Sequence, residues 1–207
     1  MAPEDCLPLQ KDLLPSAAEV AHLVRARRSI RTFKEEPLPR EVLAQLIDTA
    51  RYAPTGSNRQ QVRWLVVYAS QEVQRLARLT ADWLRHLAVS QPGTMTATYL
   101  DSLKLASERG VDLTCRGAPH LVIAYGPRGR EADGVIALSY LELAAYAAGV
   151  GTCWGGFVNS AAHEWPPMRE ALGLPEGTVS YGAMMMGYPK YGYRRLPRRH
   201  EAQVTWR

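Results

Sequence analysis

Cysteine is scarce in this 207-residue chain: Cys6, Cys115 and Cys153 are the full set. The count is odd and no pair has C-x-x-C spacing, which excludes a disulfide framework and a zinc or iron–sulfur site carried by this chain. The five histidines, His22, His86, His120, His163 and His200, have no metal-ligand spacing and suggest no Ser-His-Asp order. No apolar run reaches about 18 residues and the N-terminus lacks a signal-peptide core, so the expectation is a cytoplasmic protein without membrane association. The charge excess is only +5. A diffuse excess of that size fits a bound anion or plain solubility better than nucleic acid. No G-x-G-x-x-G unit opens a dinucleotide-binding fold. Internal repeats and low-complexity tracts are also absent.

What is present is an ordinary globular composition, 46% apolar, in one expected domain over 1–207 or one subunit of an intertwined assembly. Residues 1–14 read as a loose lead-in and 188–207 as an extended basic tail. Ser16-Ala17-Ala18-Glu19 is a capping box opening a short helix. A second helix is expected from Arg40 to Tyr52, stopped by Pro54 and Gly56. Val62–Ala69 reads as a strand buried on both faces. Helices are expected over 71–90 and 96–108, then a buried strand over 119–125. Ala132–Ala148 is apolar on most faces, the mark of a central or interfacial helix, and Gly149 closes it. An extended piece runs through Cys153. A helix from an N-cap at Ser160 to Leu172, interrupted by Pro166-Pro167, precedes a strand over 179–187. The pattern predicts an α+β sandwich with a central sheet wrapped by helices.

Three segments carry chemistry. Arg27-Arg28-Ser29-Ile30-Arg31 follows the first helix. Planar guanidinium groups bind a phosphate monoester in bidentate fashion, and Ser29 adds a donor. Read alone, the same residues also suit a solvated basic turn at a helix C-terminus. The second segment is Ala53-Pro54-Thr55-Gly56-Ser57-Asn58-Arg59-Gln60. The third is Gly149-Val150-Gly151-Thr152-Cys153-Trp154-Gly155-Gly156-Phe157, whose glycines let the backbone approach a flat ligand closely. The tail adds Lys190, Arg194, Arg195, Arg198 and Arg199. Its interleaved tyrosines argue against a tail for membrane or RNA. Together these describe a site with a phosphate end and a flat, backbone-lined end.

In this order and spacing the segments resemble the FMN-dependent nitroreductase family, from about Ser16 to Trp206. The resemblance implies a three-layer α/β/α sandwich with a central mixed sheet, in an intertwined homodimer with shared active sites. It implies FMN held by Arg27, Arg28, Ser29 and Arg31, with Arg199 completing the phosphate clamp and Arg198 one residue away. It places Pro54, Thr55, Gly56 and Asn58 against the flavin of the neighbouring subunit. Cys153, Trp154, Gly155 and Gly156 would lie along the ring, with the Gly155 N–H meeting N5. Two departures stand out. Gln60-Gln61-Val62 replaces the family's Gln-Pro-Trp after the first residue, and Gly155 stands where some members carry glutamate. Arg116 falls near a position where relatives place a charge at the flavin O2 side, without a clean register.

The activity so implied is hydride transfer from NADH or NADPH through the flavin to an electron-poor small molecule, a nitroaromatic or quinone, in ping-pong order. No side chain is required for the hydride step, because the cofactor carries the chemistry. Cys153 is a candidate nucleophile only formally; a small buried residue beside the cofactor is the simpler reading. The alternatives are a dehydrogenase or dehalogenase-type enzyme of the same superfamily, or a non-catalytic flavin-binding redox subunit.

Overall fold

The computed structural model describes residues 6–91, 93 and 97–207. Two compact units divide the chain: a terminal unit, up to Arg27 and from Tyr193 onward, and a main body over 28–192. The terminal unit contains α1 (Ala17–Ala26), preceded by a single 3-10 turn at Lys11–Leu13. The capping box is formed. Ser16 Oγ accepts from the Glu19 N–H at 3.3 Å, and the Glu19 carboxylate accepts from the Ser16 N–H at 2.7 Å. These bonds hold the Glu19 carboxyl below its usual range. α1 buries none of its residues, and Val20 and Val24 are exposed. The tail from Tyr193 has no helix or strand.

The main body is built on four strands: β1 (Arg63–Val67), β2 (His120–Pro127), β3 (Gly151–Trp154) and β4 (Thr178–Gly187), in the order β1-β2-β4-β3. Each neighbouring pair is antiparallel. The expected mixed sheet is therefore corrected; the parallel pairing among the described residues is one isolated bridge, Ser29 to Thr152. The connections give the reason. α3 (Ser70–Ser90) and α4 (Ala97–Glu108) join β1 to β2, and α6 (Gly156–Glu164) and α7 (Pro166–Leu172) join β3 to β4. A pair of helices carries the chain out and back, so the next strand reverses. The single helix α5 (Glu131–Ala147) does make β2 and β3 run the same way, but β4 lies between them.

Strand alternation divides the core into two clusters. Leu65, Val67, Leu121, Ile123, Cys153, Ala183 and Met185 face α3, α6 and α7. Trp64, Val66, Val122, Ala124, Met184 and Met186 face α2 (Arg40–Ala50) and α5. This is the expected α/β/α sandwich. Each fully buried Leu, Ile or Met contributes about 1.5–3 kcal/mol. A bulge where β2 passes Ala124 and Tyr125 leaves Tyr181 unpaired and turns it to the α5 side,. Its ring lies against Gly134, where any Cβ would collide, and its O–H donates to the Pro127 carbonyl at 2.6 Å.

Two local expectations are revised. Val67 is the one buried residue of β1, because β1 is an edge strand. α6 begins at Gly156, with Gly155 as N-cap, so Ser160 lies inside the helix. Glycine is acceptable at an N-cap, and this turn starts the helix directly from β3. Pro166 then opens α7 at a position where its missing N–H costs nothing,.

His120, fully buried, fastens the segment before α2. Its Nε2 accepts from the Leu38 N–H at 2.8 Å, which leaves Nδ1–H to donate to the Tyr68 carbonyl at 2.8 Å. Burial lowers its pKa. Among the described residues no helix is long and apolar enough to cross a membrane.

Candidate flavin site

Two of the three motifs lie side by side in the main body. Ser29 bridges Thr152, and the Ile30 N–H donates to the Thr152 carbonyl at 2.8 Å. Gly151 makes that approach possible, since a Cβ there would stand 2.9 Å from the Ile30 side chain. Arg28 and Ser29 are half-buried and Arg31 is exposed. Arg27 ends α1, its N–H bonded to the Leu23 carbonyl, and Arg199 lies in the irregular tail; both belong to the terminal unit.

The β3–α6 turn bears on one assignment. The Gly155 N–H donates to the Ala183 carbonyl at 2.8 Å, and Gly155 is buried with its pro-Cβ direction only 3.3 Å from Ala183 Cβ. That bond occupies the donor that the resemblance assigns to a flavin N5. Gly156 is the open position. It is exposed, it is the first residue of the nine-residue α6, and nothing lies within 4 Å of where its Cβ would stand. The first N–H groups of a helix lack intrahelical partners and sit at its positive end.

Cys153 is buried in the apolar cluster, its Sγ 3.8 Å from the Trp154 carbonyl. The other buried thiol, Cys115, is pushed far up by burial and by the nearby Asp112. Among the described residues no group of three metal-ligating side chains comes together.

The second motif does not join the other two within the protomer. Gln61 abuts Gly126, which pairs with Val179, whereas Ser29 pairs through Thr152 with Met186. Seven strand positions separate Val179 from Met186, roughly 20 Å or more along β4. Pro54, Gly56 and Asn58 are exposed and Thr55 half-buried. The loop is strained: Ser57, Asn58 and Gln60 all have φ between 50° and 56°, which non-glycine residues adopt only at a cost. Side-chain contacts help to hold it. The Gln60 N–H donates to Thr55 Oγ1, and the Gly56 N–H donates to Asp133 Oδ1, both at 3.0 Å.

Asp133 was not among the sequence candidates, nor was Glu142, which accepts from Trp154 Nε1–H at 3.4 Å. Both are buried acids on α5. Their signal was available: carboxylates inside a mostly apolar helix must have partners.

The fold is that of a nitroreductase. A nitroreductase with bound FMN from Bacteroides fragilis NCTC 9343 superposes with a TM-score of 0.73 over 90% of this chain and 97% of its own, at 23% identity. In sequence, YfhC of Bacillus subtilis (strain 168), which bears the name of an NAD(P)H nitroreductase, is 28% identical over 174 residues, 81% of this chain and 82% of the relative. The FMN reductase (NAD(P)H) of the same organism is 25% identical over 196 residues, 90% of this chain and 72% of the relative. The model of the Nitroreductase family matches residues 24–188; the chain belongs to the nitroreductase family.

Proposed function

We infer that this chain is an FMN-dependent NAD(P)H oxidoreductase that passes hydride to an electron-poor small molecule such as a nitroaromatic or quinone. The observation that carries this reading is the β3–α6 turn lying directly beyond the Ser29–Thr152 bridge. It presents an exposed glycine, with open space where a side chain would stand, at a helix start next to an arginine-rich segment. Those residues fit FMN at both its ends.

Bound FMN supplies hydride uptake and release at N5. Arg28, Ser29 and Arg31 would hold the phosphate in charge-assisted bonds; Arg27 and Arg199 are assigned to the same role by the family resemblance alone. Gly156 would donate to the ring, and its missing side chain leaves room for the ring plane. Trp154 and Cys153 would fix the turn from behind. Pro54, Thr55, Gly56 and Asn58 would serve the flavin of a neighbouring subunit, since their own protomer keeps them far from Ser29. We read the chain as one domain of an obligate homodimer with two shared sites. Exposed Val135, Ile136 and Tyr140 on α5 support this. An interface above roughly 2,000 Å² is expected. Nicotinamide and acceptor would occupy the same face in turn, giving parallel double-reciprocal lines.

The test is the absorption spectrum of the purified protein, followed by anaerobic titration with NADH and with NADPH. A yellow protein bleached by either supports the reading. A colourless protein with no affinity for added FMN, or a flavin that neither nicotinamide reduces, refutes it.

A further inference from the structure

The β3–α6 turn is anchored from the α5 side as well as from the sheet. Strand alternation sends the Cys153 side chain toward the α3, α6 and α7 side,. It sends Trp154, the last residue of β3, toward α5. The indole lies in a slot. Gly182 of β4 is its floor: a Cβ there would stand 3.3 Å from Trp154 Cζ3 and 2.6 Å from Leu138 Cδ1. Leu138 and Glu142, one helical turn apart, share a face of α5 and are both buried,. Glu142 Oε2 accepts from the Trp154 Nε1–H at 3.4 Å, and the indole is half-buried. Shape thus holds the six-membered edge of the ring and a hydrogen bond holds the five-membered edge.

Packing alone does not call for an acid at this place. Burying a carboxylate is costlier than burying a leucine. What the acid adds is direction, because a hydrogen bond fixes the angle of a ring as apolar contact does not. The ring is tied in turn to the candidate site. Trp154 pairs with Met184, and the next N–H, that of Gly155, donates to the Ala183 carbonyl. The residue after that is Gly156, exposed at the start of α6. The indole therefore pins the last point of the sheet before the chain turns to the open glycine.

Resting on the flavin reading above, we propose that Glu142 is a positioning residue for the flavin: through the Trp154 indole it sets the place of the Cys153–Gly156 turn that would lie along the ring. Glu142 itself touches neither flavin nor acceptor. Its task is to accept one bond, so a glutamine, which keeps a side-chain oxygen at the same reach, performs it too.

The test compares Glu142→Leu, Glu142→Gln and Trp154→Phe in the full-length protein. Fluorimetric titration with FMN, the visible spectrum of the bound flavin and its midpoint potential are measured, and urea melts establish that each variant is folded. Glu142→Leu deletes the acceptor and Trp154→Phe deletes the donor. Expected for both are an FMN Kd raised about tenfold, an absorption band moved toward that of free FMN, and a shifted potential. Glu142→Gln should recover most of all three. The double variant should be no worse than the larger single loss, because both changes remove the same bond. Should Glu142→Leu not fold, Trp154→Phe against Glu142→Gln carries the comparison. Losses that add in the double variant overturn the pairing. A loss in Glu142→Gln as large as in Glu142→Leu or Trp154→Phe also overturns the proposal, since charge would then be the cause. FMN bound equally by all variants sinks this proposal alone, whereas parent protein with no affinity for FMN sinks the flavin reading and this proposal with it.

Discussion

The β3–α6 turn and the Pro54–Gln60 loop are both glycine-containing segments assigned to the same flat ligand, and they are built in opposite ways. The turn is part of the sheet. Gly155 is tied to Ala183, Cys153 is buried, and Gly156 is left exposed. The loop is exposed and keeps three non-glycine residues at positive φ, with a distant aspartate on α5 as its tether. The turn is rigid because folding the protomer makes it so. The loop keeps its strained form through bonds of its own and one tether from α5. A wall that must be flat comes from the sheet, and a contact that must reach elsewhere comes from a tethered loop.

Gly156→Val tests the wall most severely. A branched side chain in the open space should weaken FMN binding by about 3 kcal/mol, the upper range for overpacking, while thermal stability holds. Gly155→Val should do the reverse, costing about 1–3 kcal/mol of stability through Ala183. Fluorimetric FMN titration beside denaturant melts separates them, and identical effects of the two would erase the distinction.

Arg27→Ala, Arg31→Ala and Arg199→Ala should each weaken FMN by about 2 kcal/mol, within the range for bonds to charged groups. Unchanged affinity in all three returns the cluster to a solvated turn. The loop should respond to its tether: Asp133→Ala should cost about 1–2 kcal/mol of stability and lower FMN affinity about tenfold, while Asp133→Asn, which keeps an acceptor, should recover most of both. Equal losses in Ala and Asn would assign the effect to charge instead.

A smaller effect concerns pH. Leu38 donates to His120 Nε2, so protonation there would break the bond, and the folded pKa is depressed. An unfolded histidine takes its proton near pH 6.5. Stability is therefore fully present above that value and lost as pH falls below it. Urea midpoints between pH 8 and 5 should decline on the acid side, and less so in His120→Gln. The smallest effect belongs to Cys153→Ser, which should keep most activity with a shifted flavin potential. Complete inactivity with FMN bound would favour a thiol mechanism.

The layers were legible in the sequence because alternation and helical period survive wherever a face is buried; α2, α3, α5 and the two central strands follow from them. Sheet direction was not, because it depends on how many helices intervene between neighbouring strands. The glycine pair at 155 and 156 was visible, but which N–H stays free is settled by a partner on β4, 28 residues from Gly155. Asp133 signalled by its place on an apolar helix that it needs a partner, but which partner was hidden, because Gly56 is 77 residues away. The arginine segment announced itself by charge alone.

α1 spans ten residues and buries none of them. A helix of that length is marginal in water, with about 12–15 residues needed even for favourable sequences, and its capping box secures only the first turn. Its amide protons should exchange with solvent almost freely unless another surface covers Val20 and Val24. Hydrogen exchange across a dilution series would make this one helix a gauge: slow at high protein concentration and fast at low if a second protomer supplies the cover, and independent of concentration if the chain covers it alone.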